Sequence, residues 1–286
     1  MPRLREAALP ALFVLLWSTG FLFSRLGLSY AEPFTFLTVR LAAASLLLLA
    51  IAVATGAAWP RTAREGAHIA VAGLLFHGVY LIGVFEAIHH GVATGIVALI
   101  AGLQPILTAA FVGPLLGEKV SARQWAGLVL GFAGIALVVW ERLGTGEGTL
   151  LGFGLAFLCL LGITAGTLYQ KRFCPDLDRR SGSAIQFGAA AAALTVGSLM
   201  FETGHIAWTG EFVLAIVWLT LVLSVGTFNL LVILIRRGAA SRVSSLFYLV
   251  PPTTAFFGWA VFGETLSVLA LAGMAVAVAG VALVNR

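Results

Sequence analysis

Charge is what this chain has least of. Asp, Glu, Lys and Arg make up 10% of its 286 residues, 60% are hydrophobic, and mean hydropathy is +1.03; a soluble domain carries about 25% charge. Apolar runs of about 20 residues, each enough to cross ~30 Å of hydrocarbon as a helix, tile the sequence and leave no room for a soluble domain. Cysteine is nearly missing: Cys159 lies inside an apolar run and Cys174 in a connector, which speaks against a disulfide framework or a metal site. No Asp or Glu falls in the middle of an apolar run, so the proton-relay carboxylate common in pumps is absent and His77 is the central titratable candidate. HExxH, GxSxG, CxxC and Walker motifs are absent too, so neither an ATP-driven engine nor a recognised hydrolase is expected. No cofactor is implied.

What remains is helix-forming apolar sequence. Backbone groups in lipid must be satisfied internally, which leaves helices or closed barrels, and the continuous apolar runs lack the alternation of barrel strands. The expected fold is all-α and integral to the membrane, with ten transmembrane helices. The first five are drawn over Ala7–Gly27, Pro33–Ala54, Ala67–Ile88, Gly91–Leu116 and Gln124–Trp140. The second five run over Leu150–Tyr169, Ser183–Phe201, Phe212–Ile235, Ala239–Phe262 and Leu266–Val284. The N-terminal basic head and apolar run are shaped like a signal peptide; an uncleaved first helix is preferred because the region has a counterpart in the second half.

That second half repeats the first. A shift of about 146 residues puts Pro105 on Pro251 and Gly117-Glu118 on Gly263-Glu264, with about 16 identities in about 49 positions from Gly91 to Val139. The units are 1–141 and 150–286, joined by a linker over 142–149 that holds Gly144, Gly146 and Gly148. An odd number of spans per unit makes the two copies cross in opposite directions, two inverted five-helix repeats. The net charge of +5 sits in short connectors rather than along a basic face, so it is a topology signal and nucleic acid is not an expected partner. With both termini cytoplasmic, Arg3, Arg5, Arg61, Arg64, Lys119, Arg123, Lys171, Arg172, Arg179, Arg180, Arg236, Arg237, Arg242 and Arg286 face inward, against Arg25 and Arg142 outside.

Depth selects the candidates for binding a solute. His77 and Tyr80 fall near the centre of the third span, three residues apart and therefore on one face; Ser224 and Thr227 are their counterparts in the eighth. A midplane position suits the binding site of an inverted-repeat carrier, although the hydroxyls can bond their own backbone and His77 can be a packing residue. Trp17 is central rather than interfacial, placed to stack on a solute or to pack. Ser244, Phe247 and Tyr248 share a face of the ninth span, where Pro251 and Pro252 would free the carbonyls of Phe247 and Tyr248, as Pro105 would free that of Ala101. Arg40 and Glu86 lie toward the outer side, either as an ion pair or with Arg40 snorkelling alone. Glu118 and Glu264 close their helices as structural or gate contacts. Gly127, Gly131 and Gly134 form a small-residue stripe for close helix packing, within the chain or between copies; Gly95, Ala98 and Gly102 form another, either a packing surface or a cavity wall.

A five-helix unit whose fourth helix carries a mid-span proline and closes in Gly-Glu, with Trp17-Ser18 in the first helix and Arg40 in the second, resembles the EamA family of the drug/metabolite transporter superfamily. The resemblance covers the whole chain and departs at Ile163, which holds the second-half position matching Trp17. It implies a ten-helix carrier with a pathway between helices one, three, four, six, eight and nine. It also implies export of small metabolites, most closely in the manner of the aromatic and neutral amino-acid exporters. The expected protein is an inner-membrane exporter working by alternating access, downhill or by exchange, as a monomer or weak homodimer in the lipid bilayer. A multidrug or lipophilic-cation exporter is the alternative; an intramembrane enzyme or a channel stands further off.

Overall fold

The computed structural model describes residues 2–92, 97, 100–140, 149–237, 243, 245–250, 252–253, 256–257 and 268–285. Among these, nine helices follow one another: α1 (Pro2–Leu28), α2 (Pro33–Ala54), α3 (Ala63–His89), α4 (Gln104–Leu116), α5 (Ala122–Trp140), α6 (Leu150–Phe173), α7 (Arg179–Phe201), α8 (Gly210–Arg236) and α9 (Val268–Asn285). A single 3₁₀ turn, Leu246–Leu249, lies between α8 and α9. Extended pairing among the described residues is limited to one isolated bridge, Ala31 with Ile206. Helices α2, α3, α6, α7 and α8 are each long and apolar enough to cross a membrane, and shorter apolar stretches occupy Leu9–Gly20, Gln104–Leu116 and Leu271–Val284.

Helix ends fall in the polar connectors, where side chains supply the missing partners of terminal amides. Thr62, Thr149, Asp178 and Thr209 accept from the amides of Glu65, Gly152, Arg180 and Phe212 and so start α3, α6, α7 and α8. Gly117, in the left-handed region at φ 69°, stops α4. The predicted span over Gly91–Leu116 is not one helix, because the chain turns at Gly102 and Leu103 before α4 begins at Gln104. Pro105 sits in the first turn of α4, where its missing amide costs nothing, instead of kinking a helix interior.

Side-chain contacts fix the direction of the packed pairs. Thr35 bonds Ser198 at 2.7 Å, Ser45 donates to the Ala184 carbonyl at 2.9 Å, and Arg180 donates to Thr55 at 2.7 Å. Numbers rise along α2 as they fall along α7, so the pair is antiparallel. The glycine stripe of α5 lies on α9: a Cβ at Gly127 would meet the Gly280 carbonyl at 2.8 Å, and one at Gly134 would meet Gly273 and Ala277. This pair is antiparallel as well, and the stripe's packing lies within the chain. Helix α3 lies along α6 through Gly83 against Cys159 and Gly162 against Tyr80, while α8 lies along α1 through Leu223 against Gly20 and Trp218 against Phe23.

The two ends of the bundle differ in charge. At one end Arg172 donates to the Leu115 carbonyl, Lys171 pairs with Glu118 at 2.5 Å, Arg236 donates to the Leu177 carbonyl, and Arg180 pairs with Asp178 at 2.8 Å. At the other, Glu202 accepts from the amides of Phe34 and Thr35, each at 2.7 Å. Glu32 there accepts from the amide and hydroxyl of Thr203 at 2.9 and 2.7 Å. Glu202 thus ties the end of α7 to the first turn of α2, and Glu32 ties the start of α2 to the connector after α7.

Candidate functional site

The long helices α3 and α8 are not α-helical throughout. Leu74–Val79 in α3 and Leu219–Thr227 in α8 are π-helical, a geometry that inserts an extra residue per turn and recurs at functional sites. His77 lies one residue past the midpoint of 63–89, and Ser224 one past that of 210–236. Both π segments therefore sit at matching depth in matching helices. The hydroxyl of Thr227 donates to the Val222 carbonyl five residues back, at 2.7 Å, and closes the widened turn from the side. Thr227 is buried, and its one proton is spent on that bond.

His77 is buried, with rings of Phe187 at 4.1 Å, Phe228 at 4.3 Å and Phe76 at 5.9 Å around it, and its Nε2 has no partner. Tyr80, also buried, turns to α6 and α1, where Cys159 and the Trp17 side chain approach it. The two side chains expected on one face thus diverge. The physical reason is the π segment, whose wider turn ends between them and shifts the angular offset that an α-helix would give.

Arg40 reaches this region from α2. Its Nε donates to the Ser224 hydroxyl at 3.4 Å, its carbonyl accepts from Thr220 at 3.5 Å, and both His77 and Tyr80 lie near enough to feel its charge. The Arg40–Glu86 ion pair does not form. Glu86 pairs with His90 at 3.3 Å, one turn along its own helix. Those two side chains line an end cavity of about 320 Å³ with Glu32, His89 and Glu202.

Trp17 makes edge contacts with Phe247 at 5.1 Å and a tilted contact with Phe13 at 5.2 Å. Phe247 and Tyr248 are neighbours in a 3₁₀ turn, where three residues per turn set adjacent side chains about 120° apart. Phe247 faces Trp17, while Tyr248 is fully buried against Gly131 of α5. The Phe247 carbonyl is not free either, since the Val250 amide donates to it. Pro252 is buried and helical. Ser244, Pro251 and Glu264 lie outside the described residues, as do Gly95, Ala98 and the linker through Gly148.

Buried amides were not among the candidates. Gln104 donates to Thr108 at 3.2 Å and to Thr167 at 3.4 Å, joining α4 to α6, and Gln186 donates to Gln170 at 2.5 Å, joining α7 to α6. Their signal was available in the sequence: an amide inside an apolar span is costly and needs a partner.

Comparison with known proteins decides the family. The model of the EamA-like transporter family matches residues 6–140 and again 150–286. The chain belongs to the EamA-like transporter family. It is a multi-pass membrane protein with two copies of the EamA domain. An uncharacterized transporter of Bacillus subtilis, YvbV, is 26% identical over 100% of this chain and 93% of its own. The uncharacterized inner membrane transporter YedA of Escherichia coli is 29% identical over 97% and 89%. A Salmonella typhimurium protein named as a probable amino-acid metabolite efflux pump is 23% identical over 96% and 93%. A solved crystal structure, 23% identical, covers 96% of this chain and 94% of its own with a TM-score of 0.82, so the two chains share a fold.

Proposed function

We propose that this EamA protein is an inner-membrane exporter of small metabolites, with aromatic or neutral amino acids as substrates, moved by alternating access downhill or in exchange. The observation that carries the reading is the pair of π-helical segments at matched midpoints, bearing His77 and Ser224 beside the buried Arg40. Irregular backbone at mid-depth occurs where it is enclosed by protein or lines a cavity, and polar groups there have a functional role by default. Aromatic rings of Trp17, Phe247, Phe187 and Phe228 give an apolar solute surfaces to pack on, while Tyr80, His77 and Ser224 orient its polar end.

The two units 1–141 and 150–286 act as opposed halves in this reading. Antiparallel packing of α2 on α7 and of α5 on α9 supports it, since the members of each pair hold equivalent places in the two units. Rocking of the halves then exposes the central cluster to one side at a time. The basic end faces the cytoplasm, with both termini, and the glutamate-tied end faces out. The name of the Salmonella relative favours an amino-acid substrate over a lipophilic cation, and no described carboxylate stands beside the central rings to pair with a cation. Flux of radiolabelled phenylalanine, tryptophan, threonine and methionine in reconstituted vesicles tests the proposal. Saturable movement of at least one supports it, and movement of none overturns it.

A further inference from the structure

Arg40 presents a problem that the fold alone does not solve. Its side chain is buried at 6% exposure, yet among the described residues no carboxylate lies within 4.0 Å of its guanidinium. Its one side-chain bond is the long contact from Nε to Ser224. Among the described residues the terminal nitrogens donate to no protein acceptor. An arginine cannot escape the cost of burial by losing its proton, and a buried cation without a counter-charge is strongly unfavourable. Ordinary structural arginines meet that cost with an acid or with carbonyls. Among the described residues this one is held by its inner nitrogen alone.

We propose that Arg40 is the carboxylate-binding group of the transport site, and that the anionic end of the solute supplies the counter-charge the protein withholds. The guanidinium fork matches a carboxylate in two parallel hydrogen bonds. Ser224 acts as a positioning residue: its hydroxyl accepts from Nε and fixes the plane of the fork. Tyr80 and His77, though they diverge, both lie near enough to feel the Arg40 charge. This rests on the exporter reading and deepens it, because it selects carboxylate-bearing solutes over amines and quaternary cations.

The experiment compares L-phenylalanine with L-phenylalaninamide, which keeps the ring and ammonium but lacks the carboxylate. Thermal stabilisation of the purified full chain in detergent by each probe gives an apparent affinity. The expected result is at least about tenfold tighter binding of the acid, the scale of a charge-assisted bond. Arg40→Gln abolishes that preference. Ser224→Ala weakens the acid by a few fold and leaves the guanidinium and the preference in place, so it remains informative if Arg40→Gln fails to fold. Equal binding of the two probes, or no response to either, overturns the assignment of Arg40. If phenylalanine binds with the stated preference but neither it nor tryptophan, threonine or methionine moves across vesicles, the exporter reading fails and Arg40 stands as a carboxylate-binding group. If it moves and the amide competes equally, the reverse holds.

Discussion

His77 and Asp178 show how differently polar residues serve a membrane chain. His77 Nε2 faces a cage of phenylalanines without a partner, and an unsatisfied buried polar atom costs about 1–3 kcal/mol. If that cost is held for a solute contact, His77→Phe keeps or raises the thermal midpoint, since ring replaces ring, while transport falls by up to about tenfold for one lost hydrogen bond. A packing role gives the opposite pattern, with stability and transport moving together. Asp178 lies in a connector, where hydrogen bonds from the Arg180 side chain hold its carboxyl at about 2, below the unfolded value of about 3.9. A depressed carboxylate stabilises the fold fully above its unfolded value, and that contribution is lost as pH falls through the folded one. Loss of this cap in Asp178→Ala should cost about 0.5–2 kcal/mol near neutral pH. The gap in thermal midpoint between variant and parent should narrow from about pH 4 downward and close near pH 2, and unfolding scans across that window measure it.

Elements were legible where hydropathy alone determines them, and obscure where packing does. The limits of α2 follow from Glu32-Pro33 and from Thr55-Gly56 after Ala54, and the predicted Pro33–Ala54 coincides with the helix. The π segments left no trace in the sequence, because an inserted residue keeps the same apolar composition and is fixed only by contacts from α1, α2, α6 and α7. Phe187 and Phe228 were invisible for a similar reason: phenylalanine in an apolar span carries no mark that it surrounds a histidine. The α5 stripe was readable as a close-packing surface, but only the fold shows that α9 fills it. Here the element makes a sharp prediction. A side chain at Gly134 collides with the Ala277 backbone, whereas nothing lies within 4 Å of Gly154 on the exposed face of α6. Gly134→Ala should therefore lose about 1–3 kcal/mol through overpacking, and Gly154→Ala should be neutral or slightly stabilising through helix propensity. Thermal unfolding of the two variants side by side checks this, and equal effects would mean that α5 and α9 do not pack as described.

At the scale of the whole molecule, the charge difference between the ends joins topology to mechanism. The basic end is held by partly buried pairs near the surface such as Lys171–Glu118, of a kind that contributes about 0–1 kcal/mol. The opposite end is held by carboxylates that accept from backbone amides at helix and connector starts, Glu202 on α2 and Glu32 on Thr203. The bridge between Ala31 and Ile206 adds to it, with the Ala207 amide donating to the Tyr30 carbonyl at 2.9 Å. The proposed alternating access would require some of these ties to break in each cycle, and weak ones suit the side that must open readily. Orientation decides which side that is, and the chain is well suited to measuring it. Cys159 and Cys174 are both buried, so they give little background with a membrane-impermeant maleimide. Arg64→Cys and Lys119→Cys lie exposed at the basic end, and His205→Cys lies exposed at the other. In intact cells His205→Cys should react while Arg64→Cys and Lys119→Cys react only after the membrane is opened. The reverse pattern would put the basic end outside, against the bias that lysine and arginine impose during insertion. Labelling of Arg64→Cys and His205→Cys from the same side would put on one face of the membrane two ends that α2 and α7 hold apart as opposite poles, and the proposed inverted arrangement of the halves would fall with it.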